Sequence, residues 1–295
     1  MELRQLEAFV AVVDRGSFSA AAQHLRVVQS AVSKTIRELE TDLRTRLLER
    51  SSGSRAITLT LQGERLLPEA RDLLARARAA RELATAGAGA LSGSLDIGVM
   101  TILGPVSLPE LLGRFAAIAP DVAVRIHTRP RGSADLLQGV STGEFDLALL
   151  APSASVPADV RVSQLGAVPL RLLVPTEHRL AAETSVSLAE VADERWIDCP
   201  PGYGSRAITD AAFARLGLHR FIALEFNEIR QLPEMVSAGL GIGFYPGEDR
   251  LPPRVVSLDV AQADAPQLNI QLAVREGPQR PTVAALLDAL HGLLP

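Results

Sequence analysis

The stretch VVQSAVSKTIRELETDL, residues 27–43, determines how the N-terminal part of the chain folds. At about 100° per residue its apolar side chains fall on one side of a helix, which is typical of a helix packed on a core. That apolar stripe consists of Val32, Ile36, Leu39 and Leu43. The opposite side collects Ser30, Ser33, Lys34, Arg37, Thr41 and Arg44. The acids of the segment lie at the flanks, so the second face is predicted to meet an anionic partner. The alternative is an ordinary solvated face.

Two shorter helices are predicted directly before this segment. The stretch LRQLEAFVAVVDRGSFSAAAQHL, residues 3–25, has apolar residues at helical spacing, a stop at Gly16 and an N-cap residue at Ser17. Only RVVQ, residues 26–29, separates the second helix from Ser30. This is the length of the turn in a helix-turn-helix, whose second helix enters the DNA major groove with its N-terminus first. The 27–43 segment is therefore predicted to be a DNA recognition helix.

A hairpin wing is predicted after the recognition helix. The stretch ERSSGSRAITLT, residues 49–60, alternates around a Ser-Ser-Gly-Ser turn and would carry its arginines toward the DNA backbone. Within the recognition helix we assign Ser33 and Lys34 to base edges and Arg37 to a phosphate. The predicted DNA-binding residues are Ser17, Ser19, Gln29, Ser30, Ser33, Lys34, Arg37, Arg50 and Arg55.

These residues resemble the N-terminal domain of LysR-type transcriptional regulators. The pattern MELRQLEAFVAVVDRGSFSAAAQHL-x4-QSAVSKTIRELETDL-x4-LLER-x8-LT-x2-G is similar to that family in order and spacing. Three positions depart from it: Ser30 stands where a proline is frequent, Arg44 where a glycine is usual, and Leu48 where phenylalanine is usual. None of the three removes a basic or hydroxyl group from the proposed DNA-binding face. The resemblance implies a transcriptional regulator, and Arg44 makes the end of the recognition helix harder to predict.

Composition excludes several classes of protein. A net charge of −4 and a pI near 5.8 exclude a generally basic nucleic-acid coat protein. The positive charge is local, because seven basic and four acidic side chains between residues 25 and 55 give +3. The one cysteine, Cys199, rules out an intrachain disulfide, and neither a metal nor a cofactor is predicted. With no signal peptide and no membrane-length apolar run, we expect a soluble cytoplasmic protein with no membrane partner.

Residues 58–86, TLTLQGERLLPEARDLLARARAARELATA, are predicted to form one long helix, bent at Pro68. Its apolar seam consists of Leu59, Leu66, Ala70, Leu73, Ala77 and Ala80. The resemblance implies a linker helix through which subunits pair, so we expect a homo-oligomer, either a dimer or a tetramer. The alternative is a surface helix packed on its own domain. GAGALSGS, residues 87–94, is predicted to be a flexible hinge.

From residue 95 onward strands and helices alternate, which predicts two α/β lobes with a cleft between them. Predicted strands are LDIGV, VAVRIH, FDLALL, PLRLLVP, RWIDC, FIALEF, GIGFYP and QLNIQLAV. The predicted fold class is α/β overall: a winged helix-turn-helix (1–58), a linker helix (59–86), a hinge (87–94) and a two-lobed effector domain (95–295). Lobe I is expected at about 95–165 and 267–295, and lobe II at about 166–266. The resemblance implies a periplasmic-binding-protein-like effector domain.

Ligands of open α/β sheets bind beyond the carboxyl ends of strands, and polar residues follow several of the predicted strands. The predicted effector-binding residues are Thr101, Thr128, Arg129, Tyr203, Gly204, Ser205 and Asn227. Ser205 is expected to cap a helix whose free N–H groups favour an anion. The resemblance implies a small effector, often a carboxylate. Each of these residues taken alone is as well explained by capping or solvation.

One competing pattern points to an enzyme. GYGSRA, residues 202–207, matches G-x-G-x-x-A between a strand and a helix, and Glu225 follows about twenty residues later, as in dinucleotide-binding units. The alternative function is therefore an NAD-dependent enzyme. Cys199 could be a redox sensor, although a lone cysteine at the end of a strand is usually buried. We favour a DNA-binding regulator that is not an enzyme and whose partners are double-stranded DNA, a small effector and RNA polymerase.

Overall fold

The structure is a computed structural model that describes residues 1–50, 57–86, 91–151, 155–246, 250–260 and 265–293. The chain forms two compact units. The N-terminal unit is Met1–Ala90 together with Thr142–Glu144, and the second unit is Leu91–Ser141 together with Phe145–Pro295. In the described part of the chain, no helix is long and apolar enough to span a bilayer.

The N-terminal unit consists of helices α1 (Leu3–Arg15), α2 (Phe18–Leu25) and α3 (Gln29–Leu43), strands β1 (Leu48–Arg50) and β2 (Ile57–Leu59), and helix α4 (Leu61–Ala86). Gly16 ends α1 in the left-handed conformation, and the Ser17 hydroxyl accepts the Ala20 N–H as the N-cap of α2. β1 and β2 pair as the antiparallel wing. Helix α3 begins at Gln29, two residues later than the start of the predicted segment. The predicted long helix over residues 58–86 is wrong at its start, because residues 58 and 59 belong to β2 and α4 begins at Leu61.

The apolar stripe of α3 packs into the core of the N-terminal unit. Val32, Ile36 and Leu39 are buried against α1, α2 and the start of the wing. Thr60 Oγ1 donates to the Arg46 carbonyl at 2.7 Å and accepts the Gly63 N–H at 3.0 Å. A Cβ on Gly63 would lie 2.2 Å from the Leu47 carbonyl oxygen, so only glycine fits there. This arrangement explains the LT-x2-G part of the sequence pattern.

In chain order the second unit contains β3 (Ser92–Val99), α5 (Leu108–Ile118), β4 (Asp121–His127), α6 (Ser133–Ser141), β5 (Leu147–Leu150), β6 (Val160–Pro169), β7 (Arg171–Pro175), β8 (Ser185–Val186), α7 (Leu188–Val191), β9 (Arg195–Asp198), α8 (Gly204–Arg215), β10 (Phe221–Glu225), a 3-10 turn (Ile229–Gln231), α9 (Leu232–Ser237), β11 (Gly243–Tyr245), β12 (Val255–Val260), β13 (Gln267–Arg275) and α10 (Pro281–His291).

Lobe I is built on a five-stranded sheet in the order β4-β3-β5-β13-β6. β3 is parallel to β4 and β5, whereas β13 is antiparallel to β5 and β6. Leu95, Ile97 and Val99 of β3 pack with α5 and α10 on one face, and α6 covers the other. The predicted hinge is wrong at its end, because residues 92–94 already pair with β4. Residues 87–90 of that hinge lie outside the described residues.

Lobe II contains a sheet in the order β11-β7-β12-β8 and a parallel pair, β9 and β10. A bridge between Trp196 and Ile242 joins the pair to the start of β11. Trp196 is fully buried in the lobe core, and its indole N–H donates to the Val191 carbonyl at 3.0 Å. β6, β8 and β12 are strands that the sequence did not predict, and β6 continues to Pro169, beyond the predicted end of lobe I.

Candidate functional site

The polar face of α3 lies on the surface of the N-terminal unit. Gln29, Ser30, Lys34 and Arg37 are exposed and Ser33 is half-buried. The Arg37 Nε donates to the Ser33 carbonyl at 3.1 Å, so the guanidinium lies along its own helix. A helix whose one side is buried and whose other side presents hydroxyls, an amide and cations has the chemistry to contact phosphates and base edges.

One electrostatic expectation for this face is wrong. The helical spacing predicts that the acids stand aside from the cations, but the Lys34 ammonium lies 3.7 Å from a Glu38 carboxylate oxygen, one turn along the helix. Both side chains are more than half exposed, at 74% and 52%. Exposed pairs of this kind contribute about 0–1 kcal/mol, so the pair does not prevent Lys34 from contacting DNA.

The remaining predicted DNA-binding residues differ in how accessible their side chains are and in whether the structure describes them. Ser19 is exposed on α2, whereas the Ser17 hydroxyl already serves as an N-cap at 3.1 Å from the Ala20 nitrogen. The backbone of Arg50 lies in β1, but its side chain and the whole of Arg55 are outside the described residues. The proposed role of the wing in DNA binding is therefore supported only by the β1–β2 pairing.

Helix α4 uses only part of its apolar seam within the N-terminal unit. Ala70 is buried and Leu66 packs beside it against the core. Further along, Leu73 and Leu83 are 41% and 67% exposed. Pro68 lies inside the helix, which is helical on both sides of it. Packing on its own unit thus explains Leu66 and Ala70, whereas Leu73 of the seam and Leu83 outside it are exposed to solvent in the single chain.

A cavity of about 320 Å³ lies between the two lobes of the second unit, where the strand ends meet. It brings together all of the predicted effector-binding residues, which are Thr101, Thr128, Arg129, Tyr203, Gly204, Ser205 and Asn227. Its apolar lining includes Met100, Ile102, Leu136 and Ile229. A wider groove of about 930 Å³ shares Thr101 and Thr128 with it. The cavity volume is at the lower end of the range of small-molecule sites.

Two side chains reach from lobe II to lobe I, Tyr203 at this cavity and Arg230 at the wider groove beside it. The Tyr203 hydroxyl lies 3.0 Å from the Pro130 carbonyl of lobe I and 3.1 Å from the Asn227 carbonyl of lobe II. Burial, with smaller contributions from Cys199 and Glu228, raises the pKa of Tyr203 to about 12, so the phenol remains a hydrogen-bond donor at neutral pH. The Arg230 guanidinium donates to the Thr101 carbonyl at 3.2 Å.

Helix α8 starts at the cavity, but not with the predicted cap. Tyr203 is the N-cap residue and makes no side-chain cap bond, while Ser205 is the second residue of the helix. The prediction that Ser205 caps α8 is therefore wrong. Because the first turn has no side-chain cap, its N–H groups keep the capacity to bind an anion in the cavity.

The glycine motif that suggested a dinucleotide site has another role. A Cβ on Gly204 would lie 2.3 Å from the Ala151 carbonyl oxygen, so this glycine lets α8 approach the end of β5. Glu225, which would contact a ribose in a dinucleotide site, instead accepts from Arg206 at 2.8 Å. The motif therefore serves the approach of α8 to β5, and the carboxylate expected to contact a ribose is bound by Arg206 instead.

Cys199 lines the cavity but is chemically quiet. It is fully buried, and burial, followed by the charge of Asp198, raises the pKa of its thiol to about 12. Since the thiolate is the reactive form, a thiol with a raised pKa is less reactive at neutral pH than an ordinary cysteine. Among the described residues, no group of three or more His, Cys, Asp or Glu side chains could hold a metal ion.

Sequence reasoning missed three polar residues of the cavity region. Glu228 lines the cavity directly after Asn227, so the end-of-strand argument could have included it. Ser133 lines it from the start of α6, where its hydroxyl accepts the Ala151 N–H at 3.3 Å. Arg230 reaches Thr101 from the 3-10 turn, and no local sequence signal indicates that contact.

Family models match both units of the chain. The model of the LysR substrate binding domain matches residues 88–295, and that of the bacterial regulatory helix-turn-helix protein, lysR family, matches residues 3–64. The chain belongs to the LysR family of transcriptional regulators. LysR-type regulators are DNA-binding proteins with an effector-binding domain and are not enzymes. The alternative of an NAD-dependent enzyme is therefore wrong.

Individual LysR-type proteins are similar over nearly the whole chain. The HTH-type transcriptional regulator ShiR of Corynebacterium glutamicum is 30% identical over 294 residues, which cover 98% of this chain and 97% of ShiR. The hydrogen peroxide-inducible genes activator of Dickeya chrysanthemi is 28% identical, with 99% and 95% covered. A full-length OxyR variant from Pseudomonas aeruginosa superposes with a TM-score of 0.74 at 25% identity, over 100% of this chain and 96% of that one. The predicted fold class is thus confirmed.

Proposed function

We propose that this LysR-type regulator binds specific DNA sequences through α3 and that a small organic anion in the cavity between its lobes controls that binding. One observation supports the proposal above all: residues from four separate parts of the chain, 101, 128–129, 203–205 and 227, line one cavity of about 320 Å³. A set of solvated or capping residues would have no reason to converge in this way.

The charges around the cavity indicate the class of ligand. The uncapped first turn of α8 and the Arg129 guanidinium both favour a negative group, and Thr101, Thr128 and Ser205 supply hydroxyl donors. Glu228 is the carboxylate in the same lining and opposes a second negative group nearby. A monoanion with a small apolar body, such as a monocarboxylate, suits this lining best.

The lobe-crossing contacts support a coupling mechanism. A ligand controls DNA binding only if it favours one arrangement of the protein over another. Tyr203 and Arg230 join the lobes around the cavity, so a ligand that competes for their partners changes how the lobes are held together. We infer that this change reaches the DNA-binding unit through the linker helix.

Self-association is part of the same proposal. The exposed leucines of α4, Leu73 and Leu83, suit a helix that pairs with a second copy. Two recognition helices on a two-fold DNA site would supply the affinity that one short helix lacks. The proposed organisation is a winged helix-turn-helix that ends with β2, the linker helix α4 (Leu61–Ala86) and an effector domain that begins with β3 (Ser92–Val99), with RNA polymerase as a further partner in transcription.

Peroxide sensing is the competing proposal, because some relatives are named as hydrogen peroxide-inducible activators. A thiol sensor needs an accessible thiolate and, for a disulfide, a second cysteine. This chain has a single cysteine, which is buried and has a raised pKa. The chemistry of Cys199 therefore favours a reversibly bound effector.

The cavity can be tested with Thr128→Ala and Ser205→Ala in the full-length protein. DNA affinity is measured with a panel of metabolite monocarboxylates, their uncharged amides and hydrogen peroxide. At least one carboxylate should shift the affinity of the wild type, its amide and peroxide should not, and both variants should require about tenfold more ligand for the same shift. Thr184→Ala, an exposed threonine outside the cavity lining, is the matched control. A response to peroxide alone, or equal responses of variants and wild type, would contradict the proposal.

A further inference from the structure

Two arginines hold a backbone conformation that L side chains rarely adopt. Arg26 has φ +55° and Arg44 has φ +52°, and every other residue with positive φ in the described part of the chain is a glycine. The left-handed region brings Cβ too close to the following carbonyl, so a side chain there destabilises the fold relative to glycine. Both arginines lie at the ends of helices in the DNA-binding unit.

The two positions share one helix-ending motif. After α2, the Val27 N–H donates to the Ala22 carbonyl at 3.0 Å, and Arg26 is the left-handed residue. After α3, the Thr45 N–H donates to the Glu40 carbonyl at 3.0 Å, and Arg44 is the left-handed residue. This six-to-one hydrogen bond defines the Schellman motif, in which glycine is the usual residue. α1 of the same unit does end in glycine, at Gly16.

Within the described part of the chain, the fold makes no polar contact with either arginine side chain. Both are exposed, and neither makes a hydrogen bond or an ion pair with any residue in the described part of the chain. Among the described residues, no hydrogen bond or ion pair of these side chains therefore compensates for the unfavourable backbone. Such conformations are retained where a function requires the side chain.

The location of the pair indicates that function. α3 has 15 residues and is about 22 Å long, and Arg26 and Arg44 stand just before and just after it. In helix-turn-helix proteins the helix before the recognition helix crosses the DNA backbone, and in the homeodomain variant the end of the recognition helix also contacts it. We propose that Arg26 and Arg44 bind DNA phosphates at the two ends of α3 and fix how far that helix enters the major groove. The inference rests on the proposed DNA binding through α3.

Arg26→Gly and Arg44→Gly in the full-length protein test the proposal, because glycine removes the cation and relieves the backbone together. The thermal unfolding midpoint should equal or exceed that of the wild type. DNA affinity should nevertheless fall, and the slope of log K against log salt should become shallower by about 0.9 for each phosphate that is no longer neutralised. Arg26→Lys and Arg44→Lys keep the charge and should retain most of the slope. Arg65→Ala, an exposed arginine of α4, controls for the change in net charge.

The possible outcomes separate this inference from the proposed function. If the wild type binds DNA with a steep salt dependence and the glycine variants keep that slope, the phosphate contacts are refuted and DNA binding stands. If the wild type shows no salt-dependent binding, the proposed function itself fails. A lower unfolding midpoint in the glycine variants would refute the argument that the fold does not use these side chains.

Discussion

Among single residues, Asp96 shows how a half-buried carboxylate can stabilise lobe I. Arg125 binds both of its oxygens at 2.7 Å, and a ring nitrogen of His127 lies 2.9 Å from one of them. Burial alone would raise the pKa of Asp96, but the hydrogen bonds from Arg125 and His127 outweigh it and hold the pKa below its usual value. The group therefore links stability to pH.

We expect Asp96→Asn to lower the free energy of unfolding at pH 7 by about 1.5–3 kcal/mol, the range for hydrogen bonds to charged groups. The sign of the pH effect follows from the lowered pKa. The contribution is fully present above the unfolded pKa, near 3.8, and is lost as the pH falls through the lower pKa of the folded state. Urea unfolding between pH 7 and pH 3 measures both effects.

The exposed carboxylate of Asp121, on the same edge strand as Arg125, provides the control. Asp121→Asn should leave the pH dependence of unfolding as in the wild type. If Asp96→Asn and the wild type lost stability equally between pH 5 and pH 3, the ion pair would not be the source of the dependence.

Among the secondary-structure elements, the recognition helix starts without the cap that helices prefer. Val28 occupies the N-cap position of α3, makes no side-chain cap bond and is 68% exposed. Val28→Ser should therefore stabilise the protein by about 0.5–1 kcal/mol, because the new hydroxyl can accept an N–H of the first turn. Ser17→Ala should have the opposite effect by about 1 kcal/mol, since it removes the existing cap of α2.

Thermal unfolding of the full-length variants measures the difference. The midpoint to compare is that of the transition in which the N-terminal unit unfolds. The expected order of midpoints, from highest to lowest, is Val28→Ser, then wild type, then Ser17→Ala. A serine at residue 28 that lowers the midpoint would mean that the apolar side chain is needed for folding despite its exposure.

The helix-turn-helix could be predicted from the sequence because its determinants are local. Gly16 ends the first helix and Ser17 caps the start of the second. The apolar stripe from Val32 to Leu43 follows from helical spacing alone. β6 and β12 could not be predicted in the same way. β6 alternates only weakly between buried and exposed residues, and it becomes a strand by pairing with β13, about a hundred residues later.

In the cavity, too, the residues with local sequence signals could be predicted and those that depend on distant contacts could not. Its residues could be named because each follows a strand, and parallel strands end at one edge of a sheet. Arg230 was missed because its contact with Thr101 depends on how the two lobes close. Ser205 was assigned the wrong role because α8 begins one residue before it, at Gly204, a boundary set by the close approach to Ala151.

In the molecule as a whole, one chain contains two different candidate binding sites, a helix face for DNA and a cavity for a small anion. The N-terminal unit offers a cationic helix face, although the net charge of the protein is −4, so attraction to DNA has to be local. The second unit offers a cavity suited to a small anion. A regulator results only if occupation of the cavity changes the affinity of the helix face for DNA.

The most informative experiment is fluorescence anisotropy of the full-length protein on the DNA upstream of its own coding region, between about 50 and 200 mM salt. An unrelated duplex of equal length serves as the comparison. We expect tighter binding to the upstream DNA, a steep decrease of affinity with salt, and a slope for Arg37→Ala that is shallower by about 0.9 for each phosphate left without its cation. Equal binding to both duplexes, or a salt slope that Arg37→Ala leaves unchanged, would contradict the assignment of α3 as the DNA-reading helix.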